Sequence, residues 1–393
     1  MLEQTARIDE RPAALFAFLE PLCEAGNLQV IGAEEHGPWR RVLLEVLAGR
    51  PSHERHFGEF VSLVEELAER WAGTGGDPVL LQKDLTALSL RMICAYALGG
   101  ADSGLVRAEE VVEAFEVVLS ADDPTAQRAS LALDYLRATV DRVIAAHEED
   151  RQNAQGDDRQ NAPEDDRSDL IRALLAARTS PARIRDTVMV TMLAAHHTTG
   201  VAVSWTLHLL ARHPEVAERV AAELDRVLGD RSAPDYGDLR ELTYLDMVLK
   251  ESMRLCPPGP YGARETTEDM VLSGADGTTY DIPARTTVFY PFWAVHMNPD
   301  HWPEPEEFRP ERFTPEAVAA RSRFAYVPFG VGPRSCEGAG LAMVEAQLTL
   351  AVLLKRFRFR PVAGHEVTPV ERFVLWAADD IPMVVTPRAA TDS

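Results

Sequence analysis

The scarcities in this sequence narrow its reading first. Cysteine is rare: Cys23, Cys94, Cys256 and Cys336 are scattered through 393 residues without CxxC spacing. That excludes a disulfide framework and a zinc site and suits a reducing cytoplasm. Basic charge is outweighed, with 40 Lys and Arg against 62 Asp and Glu and a formal net charge of −22. Such a balance favours solubility and excludes nucleic acid as a partner. Long apolar runs are missing too. The N-terminal run at 13–19 is short and interrupted, so no signal peptide is expected, and other runs fall far short of a membrane span. No linker divides the middle of the chain. With 46% hydrophobic residues, the sequence is expected to fold as one large domain over 1–393.

What is present is mostly helical periodicity. The patterns predict a helix-like piece at 12–19, a helix opened by Pro38, and amphipathic or apolar helices at 57–71 and 79–98, the latter closed by Gly99-Gly100. Two more are expected at 105–119 and 126–147. Residues 149–168 are low in complexity: Asp150-Arg151-Gln152-Asn153-Ala154 returns as Asp158-Arg159-Gln160-Asn161-Ala162, which reads as a solvated surface connection. Ser180-Pro181 is an N-cap and N1 pair that starts a helix reaching about 212. This helix is apolar almost all round from 188 to 195, so it is expected to cross the core. Helices at 214–228 and 239–255 follow, the second stopped by Pro257-Pro258. Residues 261–290 alternate and read as short strands, and 372–385 looks like a hairpin around Asp379-Asp380. The expected fold class is mainly α with a minor β portion.

Three stretches carry chemistry. Phe329-Gly330-Val331-Gly332-Pro333-Arg334-Ser335-Cys336-Glu337-Gly338 places a cysteine on a Gly/Pro loop, with a helix expected to open at about Gly338. Free N–H groups, the helix dipole and Arg334 are expected to favour a thiolate there, and the glycines let a flat group approach the backbone. A haem iron with a Cys axial ligand needs such a place. Glu251 and Arg254 are i,i+3 neighbours on a helix, a spacing that by itself reads as a surface ion pair. His196-His197-Thr198-Thr199 sits in the middle of the core-crossing helix, where polar side chains require partners or a wet cavity.

Taken in order, these stretches resemble the cytochrome P450 superfamily from about residue 20 to the end. The motif Phe-x-x-Gly-x-Arg-x-Cys-x-Gly stands at Phe329, Gly332, Arg334, Cys336 and Gly338, Glu-x-x-Arg at Glu251 and Arg254, and Pro-Glu-Arg-Phe at 310–313. The resemblance implies a P450 fold and haem b with Cys336 as the thiolate ligand. It makes Glu251, Arg254 and Arg312 a buried charge network. His36, Arg40, Arg264 and Arg334 become the cations for the haem propionates. Phe329 and Gly338 frame the ligand loop against the haem. Thr198 aligns with the oxygen-site threonine on a locally distorted helix. His197 stands where most members carry an acid, and Ala195 where most carry glycine; an imidazole can relay protons at neutral pH. The His-His-Thr variant is similar to sterol 14α-demethylases, although the aromatic-rich segment of that branch is replaced by Phe18-Leu19-Glu20-Pro21 and Gly26-Asn27-Leu28. Substrate-contact positions of the family fall on Met192, Leu193 and His196, on Gly259, Pro260, Tyr261 and Gly262, and on Leu375, Trp376 and Ala377.

The family usually has several tens of residues more before the His-x-x-x-Arg helix, whereas 35 residues precede His36. The expectation is a late start or a chain shortened at the N-terminus with a more open channel and exposed or partner-covered edge strands after Arg264. The expected activity is a bacterial-type, cytoplasmic monooxygenase. It takes electrons from a ferredoxin-type partner, uses O₂ and oxidises a lipophilic, terpenoid-, polyketide- or sterol-like molecule. Two alternatives stand beside it. One is haem-thiolate chemistry of another kind (peroxide use, oxidative coupling, dehydration or isomerisation), motivated by His197 and Ala195. The other is a non-catalytic family member, which the intact Cys336 loop disfavours.

Overall fold

The computed structural model describes residues 10–12, 22, 24–98, 106–119, 127–154, 170–274 and 276–388. Its first half is helical: α1 (Ala33–Leu47), α2 (Arg50–Ala72), a two-residue β1 (Val79–Leu80), α3 (Leu81–Leu98), α4 (Ala108–Leu119), α5 (Gln127–Ala154) and α6 (Leu170–Ala176). Then come α7 (Pro181–Arg212), α8 (Pro214–Leu228), α9 (Thr243–Leu255), β2 (Gly262–Glu265), β3 (Met270–Ser273), β4 (Thr279–Ile282), β5 (Thr287–Tyr290), α10 (Phe292–His296) and α11 (Pro315–Ala320). The chain closes with α12 (Ala339–Arg356), β6 (Phe357–Pro361), β7 (Pro369–Arg372), β8 (Val374–Ala377) and β9 (Pro382–Pro387).

The framework is α7 crossing α3. Ser180 caps α7, its hydroxyl accepting from Arg183 N, and Pro181 fills N1, where the missing N–H costs nothing. From Val201 to Leu207 the helix is buried on every side. It meets α3 at Gly200, where a Cβ would lie 2.6 Å from Thr86 N and 2.7 Å from Leu85 O, both backbone atoms. The two helices therefore touch main chain to main chain. One turn back, Ser89 Oγ donates to Ala195 O at 2.8 Å. The core continues from this crossing through α2, α9 and α12.

The sheets are small and antiparallel: β1-β9-β6, β2-β5, β3-β4 and β7-β8. The alternating stretch at 261–290 forms strands as expected. The hairpin expected around Asp379-Asp380 does not form: β8 pairs with β7, and β9 with β6 and β1. Asp380 instead adopts φ 63° and caps α3, accepting from Gln82 N at 2.8 Å and Lys83 N at 2.9 Å. A carboxylate is favoured against the positive end of that helix. Pro38 does not open a helix either. It lies inside α1, which starts at Ala33. The edge of β2 is partly covered by this chain itself, with Glu265 N donating to Glu10 O at 2.8 Å. The expectations for 13–19, Gly99-Gly100 and 155–168 lie outside the described residues, whereas 149–154, expected to begin the solvated connection, continue α5 as helix. Among the described residues, no helix is long and apolar enough to cross a membrane.

Candidate functional site

The cysteine loop is shaped by backbone that only glycine adopts readily. Gly330 has φ 69° and Gly332 φ 76°, a short 3₁₀ turn covers Gly332–Arg334, and Cys336 N donates to Phe329 O at 2.8 Å. This turns the Cys336 side chain onto the wall of a cavity of about 330 Å³, shared with Phe329, Gly338 and the α7 residues Ala194, Ala195 and Thr198. Cys336 is exposed and lies among the residues lining this cavity. Enclosure and the neighbouring Glu337 push its pKa up to about 11, against the Gly338 N–H, Arg40 and Arg11. The thiolate expected from the helix terminus and Arg334 is thus not favoured by the protein alone, because burial outweighs the dipole.

Behind the loop, Glu251 and Arg254 form no surface pair. Both are fully buried, and Arg254 Nε and Nη2 donate to the two Glu251 oxygens at 2.7 and 2.8 Å. The remaining donors of Arg254 reach the carbonyls of His296, Pro305 and Glu307 at 3.0, 2.7 and 3.0 Å, and the guanidinium lies 5.0 Å from the Trp302 ring centroid. Arg309 N donates to Glu251 Oε1 at 2.9 Å. Arg312 Nε comes within 3.3 Å of the same oxygen, without hydrogen-bond geometry, while its Nη2 donates to Glu304 O at 2.7 Å. The network stitches the segment 296–312 to α9.

Of the four expected cations, Arg264 and Arg334 lie on the cavity wall and His36 and Arg40 do not. Arg334 donates to Leu28 O and Ile31 O, and Arg264 to Ala263 O and Arg334 O. Arg40 is engaged by the Ser335 carbonyl and by Glu337, with which it forms a close ion pair. His36 is buried 4.0 Å from Glu337, and its Nε2 has no hydrogen-bond partner among the described residues. Burial, then Arg334, Arg40, Arg11 and Arg264, lower its pKa to about 3. Arg11, a cavity-wall cation that the sequence does not suggest, is lowered to about 9 by burial and by Arg264, against Glu337.

On the other wall, α7 is helical throughout, and the Thr198 hydroxyl donates back to Ala194 O at 2.9 Å. Its cavity face is Thr187, Val190, Thr191, Ala194, Ala195, Thr198, Thr199 and Ala202. Met192, Leu193 and His196 stand outside this wall, buried on another face of the helix. His197 is also off it. Its ring stacks on His196 at 4.0 Å and meets Trp376 edge-on at 5.0 Å. Burial lowers His196 to about 3 and His197 to about 4, so at neutral pH both rings are neutral. Gly259, Tyr261 and Gly262 line the cavity; Pro260, Leu375, Trp376 and Ala377 do not, and Phe373 at the turn before β8 does.

The match to known proteins agrees with this layout. The cytochrome P450 family model matches residues 105–382. Cyclooctatin synthase of Streptomyces melanosporofaciens is 32% identical over 360 residues, covering 86% of this chain and 74% of that protein. Cytochrome P450 4c3 of Drosophila melanogaster is 37% identical over 208 residues, 52% of this chain but only 38% of that protein's length. The chain likewise spans 34% of mouse cytochrome P450 3A41. In three dimensions the haem domain of cytochrome P450DA is similar with a TM-score of 0.84 and 25% identity, over 99% of this chain and 84% of that one. A retinoic acid-bound cyanobacterial CYP120A1 is similar with a TM-score of 0.80 and 25% identity, over 95% and 82%. The fold and site define a haem-thiolate protein, a mainly helical scaffold whose iron is held by cysteine. This chain belongs to the cytochrome P450 family. Its cavity fits that group: one thiol faces it, and Arg11, Arg264 and Arg334 converge on it, against the two acids Glu337 and Glu345. The excess of cations suits a ligand carrying two carboxylates.

Proposed function

We propose that the chain is a haem-thiolate monooxygenase domain that oxidises a lipophilic small molecule with O₂ and electrons from a ferredoxin-type partner. The observation that carries this reading is the placement of Cys336 and Thr198 on the walls of one cavity. Cys336 holds the iron, with Phe329 and Gly338 framing its loop. Arg264, Arg334 and Arg11 receive the propionates, and His36 and Arg40 support them from behind Glu337. Glu251, Arg254 and Arg312 fix the backbone around the loop. When bound, a cysteine-ligated haem supplies oxygen activation, the thiolate pushing electron density that favours O–O cleavage. Thr198 offers a hydroxyl on the cavity surface that can pass a proton or hold a water there.

The apolar wall of Val190, Ala194, Ala195, Leu341 and Phe373 suits an apolar substrate with few polar anchors. A relative named for cyclooctatin synthesis and a structural neighbour holding retinoic acid support a terpenoid-like natural product. A second reading, peroxide-driven or other haem-thiolate chemistry, is supported by His197, which faces Trp376 where an acid would serve proton delivery. The test is the absorption spectrum of the reduced carbon monoxide complex, followed by turnover with a reductase, ferredoxin and O₂ or with hydrogen peroxide. The monooxygenase reading requires the thiolate band and O₂-dependent product. Product with peroxide alone selects the second reading, and absence of the thiolate band in folded, haem-loaded protein removes both.

A further inference from the structure

A side chain from another helix enters the backbone of α7 at the turn that carries Thr198. Ser89, on α3, is buried, and its hydroxyl donates to Ala195 O at 2.8 Å. In an α-helix that carbonyl is the acceptor for the N–H four residues on, here that of Thr199. The hydroxyls of Thr191, Thr198 and Ser204 also bond carbonyls of α7, but each sits on α7 itself and folds back by one turn. Ser89 competes from outside, for the carbonyl of a residue that lines the cavity.

Two such donors fall on consecutive carbonyls. Thr198 Oγ1 donates to Ala194 O at 2.9 Å, next to the carbonyl engaged by Ser89. Those two carbonyls are the acceptors for the Thr198 and Thr199 N–H groups. A side chain that inserts into the i→i−4 ladder weakens it and bends the helix locally. The site of the intrusion is fixed by the main-chain contact at Gly200, where a Cβ would lie 2.6 Å from Thr86 N. So close a contact keeps α7 from moving away from α3 and its serine. Thr86 takes no part, because its own hydroxyl donates to Gln82 O at 2.7 Å.

We propose that Ser89 holds the Ala195–Thr199 turn of α7 loose, so that water can enter the ladder there and meet the Thr198 and Thr199 hydroxyls on the cavity wall. Glycine at 195 would make that turn pliant from within. Ala195 cannot, and Ser89 supplies the pliancy from a second helix. This rests on the monooxygenase reading, in which water beside Thr198 serves proton delivery. Ser89 is not on the cavity wall and acts through α7, so it is a positioning residue.

Backbone hydrogen exchange of the haem-loaded protein, resolved along α7, reads the turn directly. In the wild type the Thr198 and Thr199 amides are expected to exchange about 10-fold faster than those one turn to either side. Ser89→Ala is expected to slow Thr199 by about 10-fold, the scale of one ordinary hydrogen bond regained, while the rest of α7 and α3 keep their rates. A simple brace between helices has the opposite sign: without the hydroxyl, exchange would quicken along both helices. Ser89→Cys, with a weak S–H donor, is expected to fall between. With a reductase, ferredoxin and O₂, Ser89→Ala should keep the thiolate band while product per electron falls by ~3-fold, well below the ~100-fold of a lost proton donor because both threonines remain. The lost electrons should appear as hydrogen peroxide. Unchanged or faster exchange at Thr199 in Ser89→Ala overturns the proposal, and so does full coupling in that variant. If Ser89→Ala does not fold, Ser89→Cys and the wild-type exchange profile decide it. If the wild type lacks the thiolate band, the functional reading fails, whereas the exchange still reports whether Ser89 loosens α7.

Discussion

The two walls of the cavity are built by opposite strategies. On the cysteine side, structure is held by charge. Glu251 and Arg254 are buried together, with Arg254 bonding three backbone carbonyls beyond its partner, and Arg40 is locked to Glu337 and Ser335. On the α7 side the groups are small and neutral: Ala194, Ala195 and the hydroxyls of Thr198 and Thr199 on the wall, and off it two imidazoles whose pKa values lie well below neutrality. A buried ion pair adds little net stability when complete but is costly to break. The cysteine side therefore tolerates almost no single change, whereas the α7 side can vary with modest cost. The cysteine loop is tied by charge, and the facing wall is left to neutral side chains.

This contrast can be broken at either wall. The largest effect is expected from Cys336→Ser, which should abolish the thiolate band of the reduced carbon monoxide complex; a retained band would show that another residue holds the iron. Arg254→Leu leaves Glu251 buried without its partner and should cost about 3–5 kcal/mol in denaturant unfolding. A loss below about 1 kcal/mol would reduce the pair to the value of an exposed one. Gly200→Ala forces a methyl onto the backbone of α3 and is expected to cost about 1–3 kcal/mol, read as a lowered thermal midpoint. An unchanged midpoint would mean that the crossing is looser than its 2.6 Å clearance implies.

Thr198→Ala should leave stability within about 0.5 kcal/mol of wild type while diverting electrons from product to hydrogen peroxide. Fully coupled turnover would remove Thr198 from proton handling. The last effect concerns pH. His197, lowered from 6.5 to about 4, binds its proton more readily unfolded than folded. Its neutral form supports the fold fully above pH 6.5, and that support is lost as pH falls through about 4. His197→Asn should therefore flatten the fall in unfolding midpoint between pH 7 and pH 4; an equally steep fall would place the acid sensitivity elsewhere.

The cysteine side was also the legible one. Its loop, Glu251 with Arg254, and Arg312 lie in short local patterns, and α8 occupies the predicted 214–228 because Pro214 and Gly229 mark both ends. Long-range encounters were not legible. Nothing local shows that Arg11 joins the cavity, that Glu337 takes Arg40, or that Asp380 caps α3. The Cys336 pKa went the opposite way because a sequence reveals a helix terminus but not the enclosure around it. Helical period was readable on α7, but which face meets the cavity was not, and so Met192, Leu193 and His196 were placed on the wrong side for this cavity. Glu345 did leave a signal: a lone acid inside the otherwise apolar face of Leu341 to Leu354, a place where a carboxylate needs a reason.

The main-chain contact at Gly200 has a practical consequence for altering this protein. Because α3 and α7 are pressed together there without side chains between them, their spacing is indifferent to what the neighbouring positions carry. Ala194, Ala195 and Ala202 lie within two turns of that crossing and face the cavity. Each added methylene at those sites subtracts room from the cavity while the helices keep their separation. The room in the cavity can thus be retuned by residue size at a few alanines, with the scaffold acting as a fixed jig.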